Sequence, residues 1–497
     1  MNVETGPVGQ EKAHGQNLAY PHGVVFDGWF APSRIEADVH DLEMEGRIPD
    51  GLEGAYYKVA ADPQYPPMLG KTIYLDGDGM VTMLRLQNGH ADLKTRYVKT
   101  PRFLAERAAK RSLYGKYRNP FLDDPLVQGQ DRGTANTAIG WHAGRMFALK
   151  EDSPPMEIDP NTLETLGYFN FDGKLGQKTF TAHPKTDPDT GELIAYSYNA
   201  EGVASNDVYI HTISPSGDSV KTEVFEAPYA SMIHDFLIST NYIAFTIYPM
   251  VNDWDLVKKG EQFFNWMPEK GAKVAVIPRA QGVAGIRWFN CPSPVMEGHT
   301  INAFDDNGVL YLDHDIFASG WFSMFPNRDN PGDREAPPIA QRWRFDMNRA
   351  EDHYDVRQLT DDPGEMPTVD PRYLGKDARN IFMGCLNKKL GPMMPLGPFG
   401  PPFNALVRID TVTGNRSYYY PGETSAPEEP IFIPKSADAP EGDGWIMTIV
   451  ERRDQNRSDI VILDSTDLRA PVCTIKIPFR LRYGFHGKWV PAAELGW

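Results

Sequence analysis

Four histidines in this sequence lie in apolar, turn-rich settings that are typical of metal ligands. They are His183 in TAHP (181–184), His234 in IHD (233–235), His299 in HTINAF (299–304) and His486 in LRYGFHG (481–487). Imidazole is a ligand for iron, zinc, copper and nickel, so the ligand type alone leaves the metal open. No cysteine lies beside any of the four, which disfavours a structural zinc site. We expect all four to meet at one metal ion.

The four histidines are too far apart in the chain to form a local chelate. A single histidine in an apolar setting is more often a satisfied core residue than a ligand. A shared site therefore needs a fold that brings distant strands to one point. The inner ends of propeller blades converge on a central axis in this way.

Three glutamates are candidates to support these ligands. A metal-binding histidine usually donates its second ring N–H to a carboxylate or a carbonyl group. The candidates are Glu151 in KED (150–152), Glu365 in PGEM (363–366) and Glu429 in EEPIF (428–432). Taken singly, each is better explained as an exposed carboxylate. The adjacent Glu428 could exchange roles with Glu429.

Short apolar stretches separated by turn residues recur along the chain. Strands are predicted over residues 80–86, 145–149, 242–248, 309–312 and 460–463, and one half-buried strand over 34–46. An aspartate where a strand ends and a tight turn begins recurs at Asp159, Asp187, Asp410 and Asp464. The spacing predicts an all-β barrel or propeller, and the recurrence favours blades.

Two segments interrupt this pattern. Residues 102–117 combine good helix formers with apolar residues three to four apart, which predicts a helix. Residues 391–403 are rich in proline and glycine and are expected to form an apolar loop over one face. The predicted organisation is an N-terminal arm over 1–33, mobile, and a single domain over 34–497.

Composition limits the function classes. The chain of 497 residues has 67 Asp and Glu against 50 Lys and Arg, a formal net charge of −17 at pH 7. Nucleic-acid binding requires clustered positive charge and is not expected. The three cysteines form no disulfide framework, the N-terminus has no signal-peptide pattern, and no apolar run reaches about 18 residues. These features predict a cytoplasmic protein.

Nine short motifs resemble those of the carotenoid cleavage oxygenase family. They are LDGDGM (75–80), YRNP (117–120), TANT (134–137), KED (150–152), TAHP (181–184), IHD (233–235), HTINAF (299–304), EPIF (429–432) and LRYGFHG (481–487). The resemblance extends from about residue 34 to residue 489, within the branch of lignostilbene dioxygenases and isoeugenol or 4-vinylguaiacol oxygenases. It implies a seven-bladed β-propeller, with helical and loop excursions that form a cap over the iron-bearing face.

The resemblance also implies the cofactor and the reaction. The implied ligands of Fe(II) are His183, His234, His299 and His486. The implied carboxylates, each holding one imidazole in the ligating tautomer, are Glu151, Glu365 and Glu429. Enzymes of this family use O2 to cleave a C=C bond into two carbonyl groups.

The substrate class is implied by residues outside the metal ligands. Tyr117 and Lys150 correspond to the tyrosine and lysine that hold a substrate 4-hydroxyl group in the stilbene-type branch. Together they would favour the phenolate, which makes the alkene electron-rich. Leu75 replaces an aromatic residue of that branch, as in isoeugenol-type enzymes. This favours 4-vinylguaiacol or isoeugenol, which give vanillin, over stilbenes of the lignostilbene or resveratrol type. Further pocket candidates are the aromatic residues Trp321, Phe322 and Phe325.

Two alternatives remain. A carotenoid or apocarotenoid oxygenase would act on long polyenes and would not need Lys150. The apolar patch that such enzymes use at membranes corresponds to residues 102–121, and five cations interrupt it here, so stable membrane insertion is not expected. These cations are Arg102, Arg107, Lys110, Arg111 and Lys116. A metal-free propeller scaffold would bind no stoichiometric iron. Monomer and homodimer are equally open.

Overall fold

The computed structural model describes residues 19–350 and 352–497. In this part the chain forms seven antiparallel β-sheets arranged as the blades of a propeller, so the predicted all-β propeller is confirmed. Strands near the axis are buried on both faces, because neighbouring blades pack against them. The inner strand of sequence LIAYSY is buried throughout, whereas the outer strand VKTEVFE is mostly exposed.

The strands of the first half alternate with short turns. They are β1 (Ala37–Val39), β2 (Met44–Gly46), β3 (Gly54–Ala61), β4 (Gly79–Gln87), β5 (His90–Tyr97), β6 (Ala138–His142), β7 (Arg145–Leu149), β8 (Met156–Ile158), β9 (Thr165–Tyr168), β10 (Lys185–Thr186), β11 (Leu193–Tyr198), β12 (Asp207–Ile213), β13 (Val220–Glu226), β14 (Leu237–Ile238), β15 (Tyr242–Ile247), β16 (Met250–Asn252) and β17 (Phe264–Trp266).

The second half continues the pattern to the C-terminus. Its strands are β18 (Lys273–Pro278), β19 (Arg287–Asn290), β20 (Met296–Asp306), β21 (Val309–Phe317), β22 (Ile339–Asp346), β23 (Tyr354–Gln358), β24 (Gly364–Thr368), β25 (Asn380–Cys385), β26 (Ala405–Asp410), β27 (Arg416–Tyr419), β28 (Ser425–Pro427), β29 (Ile431–Pro434), β30 (Gly444–Arg452), β31 (Arg457–Asp464), β32 (Asp467–Lys476) and β33 (Gly484–Pro491).

Helices are few and short in the described part. The α-helices are α1 (Pro101–Ala109), α2 (Trp254–Lys258) and α3 (Ala492–Leu495). The 3-10 turns are Gly28–Phe30, Tyr74–Asp76, Pro120–Leu122, Pro125–Val127, Pro268–Lys270, Gly282–Gly285 and Pro371–Tyr373.

Each blade is a meander whose first strand lies nearest the axis. From the axis outward the blades are β33-β3-β4-β5-β1, β6-β7-β8-β9, β10-β11-β12-β13, β14-β15-β18-β19, β20-β21-β22-β23, β24-β25-β26-β27, and β28 and β29 with β30-β31-β32-β2. The hairpin β16-β17 stands outside this set.

The ring is closed by strands from both chain ends. The C-terminal strand β33 pairs with β3 in the first blade, and the N-terminal strand β2 pairs with β32 in the last blade. Residues 34–46 were predicted as one strand, which is wrong. The chain breaks between β1 and β2 because Asp41 has a positive φ of 49°, and the two pieces join different blades.

The recurring aspartates form the same turn in four blades. In each case the carboxylate accepts the backbone N–H of the residue two positions on, at 2.8–3.0 Å. This Asx-type bond ends a strand and starts the tight turn to the next. The four residues are Asp159, Asp187, Asp410 and Asp464.

The predicted helix over 102–117 is wrong in its second half. Helix α1 starts after the cap residue Thr100 and ends at Lys110, whose φ of 55° is left-handed. The Glu106 carboxylate then accepts the N–H groups of Leu113 and Tyr114, which folds the chain back on the helix. Residues 391–403 form a loop, as predicted.

The N-terminal segment was predicted as a mobile arm over 1–33. Residues 1–18 lie outside the described residues. Further along, Trp29 and Phe30 are buried, and Arg480 donates hydrogen bonds to the carbonyl groups of Trp29 and Ala31. Between residues 19 and 497, Glu351 apart, no helix is long and apolar enough to cross a membrane.

Candidate metal centre and substrate site

The four predicted histidines lie together at the propeller axis. One ring nitrogen from each lies within 4.8 Å of the others. The Nε2 atoms of His234 and His299 are 3.0 Å apart, and His183 Nε2 is buried without a hydrogen-bond partner among the described residues. Nitrogens that converge without other partners fit a metal ion as their common partner.

Four blades each supply one of these ligands. His299 lies in β20, whose pairing with β21 is irregular on both sides of Thr300. His486 lies in β33, whose pairing with β3 also shifts register nearby. His183 and His234 stand directly before the innermost strands β10 and β14. Such irregularities re-aim side chains that regular pleating would point elsewhere.

Three of the four imidazoles are held by a carboxylate. Nδ1–H groups donate to glutamate oxygens in the pairs His234–Glu151, His299–Glu365 at 2.5 Å and His486–Glu429 at 2.7 Å. Because an ionised carboxylate can only accept, the proton stays on Nδ1 and the Nε2 lone pair is free for a metal. His183 has no such partner in the described chain. Burial, reinforced by the other histidines, lowers the pKa of His183 well below its usual range.

Glu151 is fixed by two further side chains. Arg118 Nη2 donates to Glu151 Oε2 at 3.1 Å, and the Tyr198 hydroxyl donates to the same oxygen at 2.7 Å. Arg118 also donates to Asp152 and to the Tyr198 oxygen, both at 3.0 Å. Burial raises the pKa of Glu151, but His234 and Arg118 outweigh it and lower the pKa to about 2. The carboxylate is therefore ionised at neutral pH.

Glu428 and Glu429 have distinct roles. Glu429 accepts from His486, whereas Glu428 accepts the N–H of Gly484 at 3.1 Å. Lys58 lies between the two carboxylates, with its Nζ 3.4 Å from Glu428 and 3.6 Å from Glu429. The structure thus places Glu429, and not Glu428, on the imidazole.

Glu365 accepts two backbone N–H groups in addition to the imidazole of His299. It accepts the N–H of His299 at 2.8 Å and the N–H of Met366 at 2.5 Å. Met366 has a φ of 57°, a conformation that costs free energy for a residue with a side chain. The turn at Met366 aims this N–H at the carboxylate.

Lys150 is a buried cation without a carboxylate partner. Its Nζ donates to the Leu75 carbonyl at 3.0 Å and to Asn136 Oδ1 at 3.3 Å. No carboxylate oxygen of the described residues lies within 4 Å of it. Asn136 in turn donates to the carbonyl groups of Leu75 and Gly77. Burial lowers the pKa of Lys150 although Asp152, Glu151 and Asp76 oppose this at longer range, and its Nζ has no carboxylate of the described residues in direct contact.

Tyr117 lies beside this lysine. Lys150 Nζ is 5.0 Å from the centre of the Tyr117 ring, and the ring of Phe325 is 6.0 Å from it. The Tyr117 hydroxyl has no hydrogen-bond partner among the described residues, and burial raises its pKa well above the usual range. Tyr117 is therefore a neutral donor that can serve a bound ligand.

The predicted pocket residues divide into two groups. Leu75 and Phe325 belong to the same buried cluster as Tyr117, and the Trp321 ring is 6.4 Å from Phe325. Phe322 packs against Trp266 at 6.3 Å and is not part of that cluster. The structure thus brings Leu75, Trp321 and Phe325 together and leaves Phe322 apart.

The predicted apolar loop over 391–403 contributes Phe399, a residue that the sequence did not single out, to an aromatic group. The Phe399 ring lies 5.2–5.9 Å from the rings of Tyr74, Phe485, Tyr483 and Trp321. Phe485 directly precedes His486 in β33. Arg118 and Asn136 were also missed. Both stand inside the YRNP and TANT motifs, which was the one signal that could have drawn attention to them.

Comparisons with known proteins agree with this geometry. The family model described as Retinal pigment epithelial membrane protein matches residues 30–491. The chain is 40% identical to an isoeugenol monooxygenase of Pseudomonas nitroreducens, over 93% of this chain and 97% of that protein. It is 38% identical to lignostilbene-alpha,beta-dioxygenase isozyme III of Sphingomonas paucimobilis, over 96% and 99%. The crystal structure of Pseudomonas brassicacearum lignostilbene dioxygenase superimposes with a TM-score of 0.91, at 41% identity over 95% and 99% of the two chains.

Proposed function

Because the chain belongs to the Retinal pigment epithelial membrane protein family and is an alkene-cleaving oxygenase, we propose that it acts on 4-hydroxyphenyl alkenes with Fe(II) and O2. The products would be aromatic aldehydes such as vanillin. Two relatives named for isoeugenol and lignostilbene support this substrate class.

The metal centre would be formed by His183, His234, His299 and His486. Four neutral nitrogens leave the charge of Fe(II) uncompensated and leave coordination positions open. When bound, Fe(II) supplies the electron that the reaction of O2 with a closed-shell alkene requires. Glu151, Glu365 and Glu429 keep the imidazoles in the ligating tautomer and orientation.

The single observation that carries the substrate proposal is that buried Lys150 has no carboxylate in direct contact within the described part of the chain. A buried ammonium whose protein partners are two neutral oxygens favours an anionic ligand. The free Tyr117 hydroxyl supplies a second donor beside it. A 4-hydroxyphenyl group would bind here as its phenolate, which delocalises charge onto the alkene. Acid–base assistance of this kind contributes about 10²- to 10⁴-fold to rate.

Pocket shape supports a small substrate. Leu75 is aliphatic and offers no ring for stacking on a second aryl group, and Phe399 packs on Phe485, the residue before His486. We therefore rank 4-vinylguaiacol and isoeugenol before stilbenes of the lignostilbene or resveratrol type.

One surface observation favours a second candidate, cleavage of a long apolar alkene such as an apocarotenoid. Several cations expected to interrupt the apolar surface fold back onto the protein. Arg102 binds Asp76 and Arg111 binds Asp124. The neighbouring side chains of Leu104, Phe121 and Leu126 are then left exposed. Such a surface suits an apolar substrate or interface.

The deciding experiment is anaerobic reconstitution with Fe(II), followed by oxygen uptake and product analysis. The substrates would be 4-vinylguaiacol, isoeugenol, a 4-hydroxystilbene and an apocarotenal, with the O-methyl ethers of the phenols. We expect aldehydes from the free phenols and none from the ethers. Cleavage of the apocarotenal alone would replace the phenolic assignment by the second candidate.

A variant pair sharpens this experiment. Lys150→Met should lose activity on the free phenols, whereas Lys435→Met should not. Lys435 is a matched control because it forms ion pairs with Asp443 and Asp464, outside the set of residues that surrounds the metal centre. Equal activity of the two variants would contradict the role of Lys150.

A further inference from the structure

A second cavity meets the metal centre, separate from the cluster around Tyr117 and Lys150. It has a volume of about 200 Å³ and is lined by residues of the innermost strands and the turns before them, including His183, His299 and His486. A water molecule occupies about 30 Å³ in the liquid, so the cavity has room for about six waters. This volume suits a small hydrated species.

The direction of the chain explains where this cavity lies. Residues that follow each histidine line it, namely Pro184, Lys185 and Thr186 after His183, Asp235 after His234, Thr300 after His299, and Gly487 and Lys488 after His486. Phe485, which precedes His486, instead contacts Tyr74 and Phe399. The cavity therefore extends along the propeller axis, away from the aromatic group.

The two faces of the metal centre differ in polarity. On the substrate face Tyr74, Phe325 and Phe485 are all buried. On the axial face Lys185 Nζ lies 2.9 Å from Asp235 Oδ1 and donates to Thr300 Oγ1 at 3.0 Å. Removing water from a divalent cation without compensation is very costly. A hydrated ion is thus better accommodated on the axial face.

Lys488 is the one lining cation of the described residues that lacks a partner. Lys185 is neutralised by Asp235, whereas half-buried Lys488 forms no hydrogen bond or close ion pair in the described part, and the carboxylate that acts on it, Glu494, does so only at longer range. His486 and Lys488 both line this cavity, and residues two apart on a strand are separated by at most about 7 Å. Lys488 therefore lies on the axial side, within about that distance of His486.

We propose that this axial cavity is the route by which a hydrated divalent metal ion enters and leaves the four-histidine centre, with Lys488 as an electrostatic gate. The ammonium repels a passing cation in both directions, so it slows loading and also slows loss. This inference rests on the proposed metal centre. It adds that metal and substrate use opposite faces of that centre.

The test measures transfer of bound metal to a chelator. Protein is loaded anaerobically with Co(II), the stoichiometry is determined, and the rate of transfer to excess EDTA is followed by absorbance. Thr186→Cys places a thiol on the cavity wall. A bulky disulfide reagent then exchanges with this thiol, and the mixed disulfide blocks the cavity. We expect at least a tenfold slower transfer, restored when a reductant removes the label.

Two controls accompany this test. Labelled wild-type protein accounts for reaction at the half-buried Cys291. Labelled Thr212→Cys is the matched variant, because Thr212 is half-buried on β12, two strands out from the axis in the same blade. Neither should slow the transfer.

The outcomes separate the claims. Failure to bind one Co(II) per chain would overturn the metal centre and the route together. If Co(II) binds stoichiometrically but labelling of Thr186→Cys leaves the transfer rate unchanged, the route is overturned and the metal centre is not. Lys488→Met should speed both loading and transfer by several fold, and unchanged rates would overturn its role as the gate.

Discussion

Arg118 connects the two halves of the site at the level of single side chains. Its guanidinium binds Glu151, which orients His234, and it lies 5.4 Å from the ring centre of Tyr117. Its φ of 53° is unusual for a residue with a side chain. The free-energy cost of this backbone conformation is offset by three hydrogen bonds to side chains. Arg118 therefore contacts both the carboxylate that orients His234 and the phenol that we propose to bind substrate.

Replacing Arg118 should weaken metal binding. Arg118→Met leaves Glu151 without its cation, and loss of a residue that supports a metal ligand typically costs 10- to 100-fold in metal affinity. We expect the dissociation constant for Co(II) to rise by about this factor, measured by competition with a chelator. Arg118→Lys should recover part of the loss, because lysine restores the positive charge but not the planar guanidinium with its several N–H donors.

A second arginine that binds a buried carboxylate serves as the control. Half-buried Arg342 donates two hydrogen bonds to Asp313 at 2.7 Å and lies on β22, two strands out from the strand that carries His299. Arg342→Met should destabilise the fold by about 3 kcal/mol, as breaking a buried pair does, and leave Co(II) affinity unchanged. Equal affinities for the Arg118 and Arg342 variants would show that Arg118 acts on stability alone.

Titration of Lys150 should change activity and stability in opposite directions as pH rises. Because burial lowers its pKa in the folded protein, the unfolded chain binds this proton more readily. Its contribution to the free energy of unfolding therefore increases as pH rises through the window below 10.5. Loss of the ammonium in the same window removes the partner of the phenolate. As pH rises, we therefore expect kcat/KM on phenols to fall, whereas the contribution of Lys150 to the melting temperature increases.

Measurements of kcat/KM and of melting temperature between pH 7 and 10 would test these opposite pH dependences. Lys150→Met should lower kcat/KM by at least about 10²-fold without lowering the melting temperature. The profile of Lys435→Met corrects for titration of the substrate phenol. A Lys150→Met protein that melts well below wild type would point to a structural role instead.

The four clustered histidines were accessible to sequence reasoning, and the residues that hold them in place were only partly so. Histidines are rare, so four of them in similar apolar settings could be recognised without knowing the fold. Arg118 and Asn136 could not, because a buried arginine and a buried amide are improbable until their partners are known. Those partners are non-local: Asn136 bonds to Leu75 and Gly77, and Arg118 bonds to Glu151 and Tyr198.

At the level of elements, the turn Tyr74–Asp76 and helix α1 form one polar joint. Arg102 of α1 donates to Asp76 at 2.8 Å, and Asp78 accepts the N–H of Gln64 at 2.9 Å. The second oxygen of Asp78 is buried without a partner among the described residues. Because Leu75 lies in this turn and its carbonyl binds Lys150, the joint also positions the substrate face.

Asp78 should make the stability of this joint depend on pH. Burial, together with the charge of Glu106, raises the pKa of Asp78 to about 7. The folded state then holds a proton that the unfolded state has lost, so its stabilising contribution disappears as pH rises through about 7. The melting temperature of Asp78→Asn minus that of wild type should therefore be about 1–3 °C higher at pH 8 than at pH 5.

An exposed carboxylate provides the comparison. Asp172 is largely exposed, so Asp172→Asn should follow wild type at both pH values. Thermal denaturation of the three proteins at pH 5 and pH 8 measures the effect. A constant difference between Asp78→Asn and wild type would mean that Asp78 keeps its charge state across this range.

Element boundaries show where local patterns lose their predictive value. Helix formers continue from residue 110 to 117, but the chain leaves the helix at Lys110 because Glu106 binds N–H groups of Leu113 and Tyr114. Residues 34–46 alternate like one strand, yet β1 and β2 belong to different blades. In both cases a contact with another part of the protein outweighs local propensity.

At the level of the whole molecule, the segment around Phe30 meets the C-terminal segment that carries His486. Phe30 packs against Tyr74 and Tyr483, at 6.2 and 6.1 Å between ring centres. Arg482 donates to the carbonyl groups of Phe30 and Ala61. The N-terminal segment, the first blade and the strand that carries His486 are thus joined in one cluster. Closure of the ring and placement of the last metal ligand depend on the same contacts.

Phe30→Ala should therefore affect both stability and metal binding. Removing a buried phenylalanine costs about 3–5 kcal/mol, and a loosened Tyr483 would leave His486 less well placed. We expect a lower melting temperature and weaker Co(II) binding, while Val24→Ala, at a side chain that is 56% exposed, changes neither. A Phe30→Ala protein as stable as Val24→Ala would show that the propeller closes through strand pairing alone. If stability fell but Co(II) affinity did not, His486 would be positioned by β3 and Glu429 without help from the N-terminal segment.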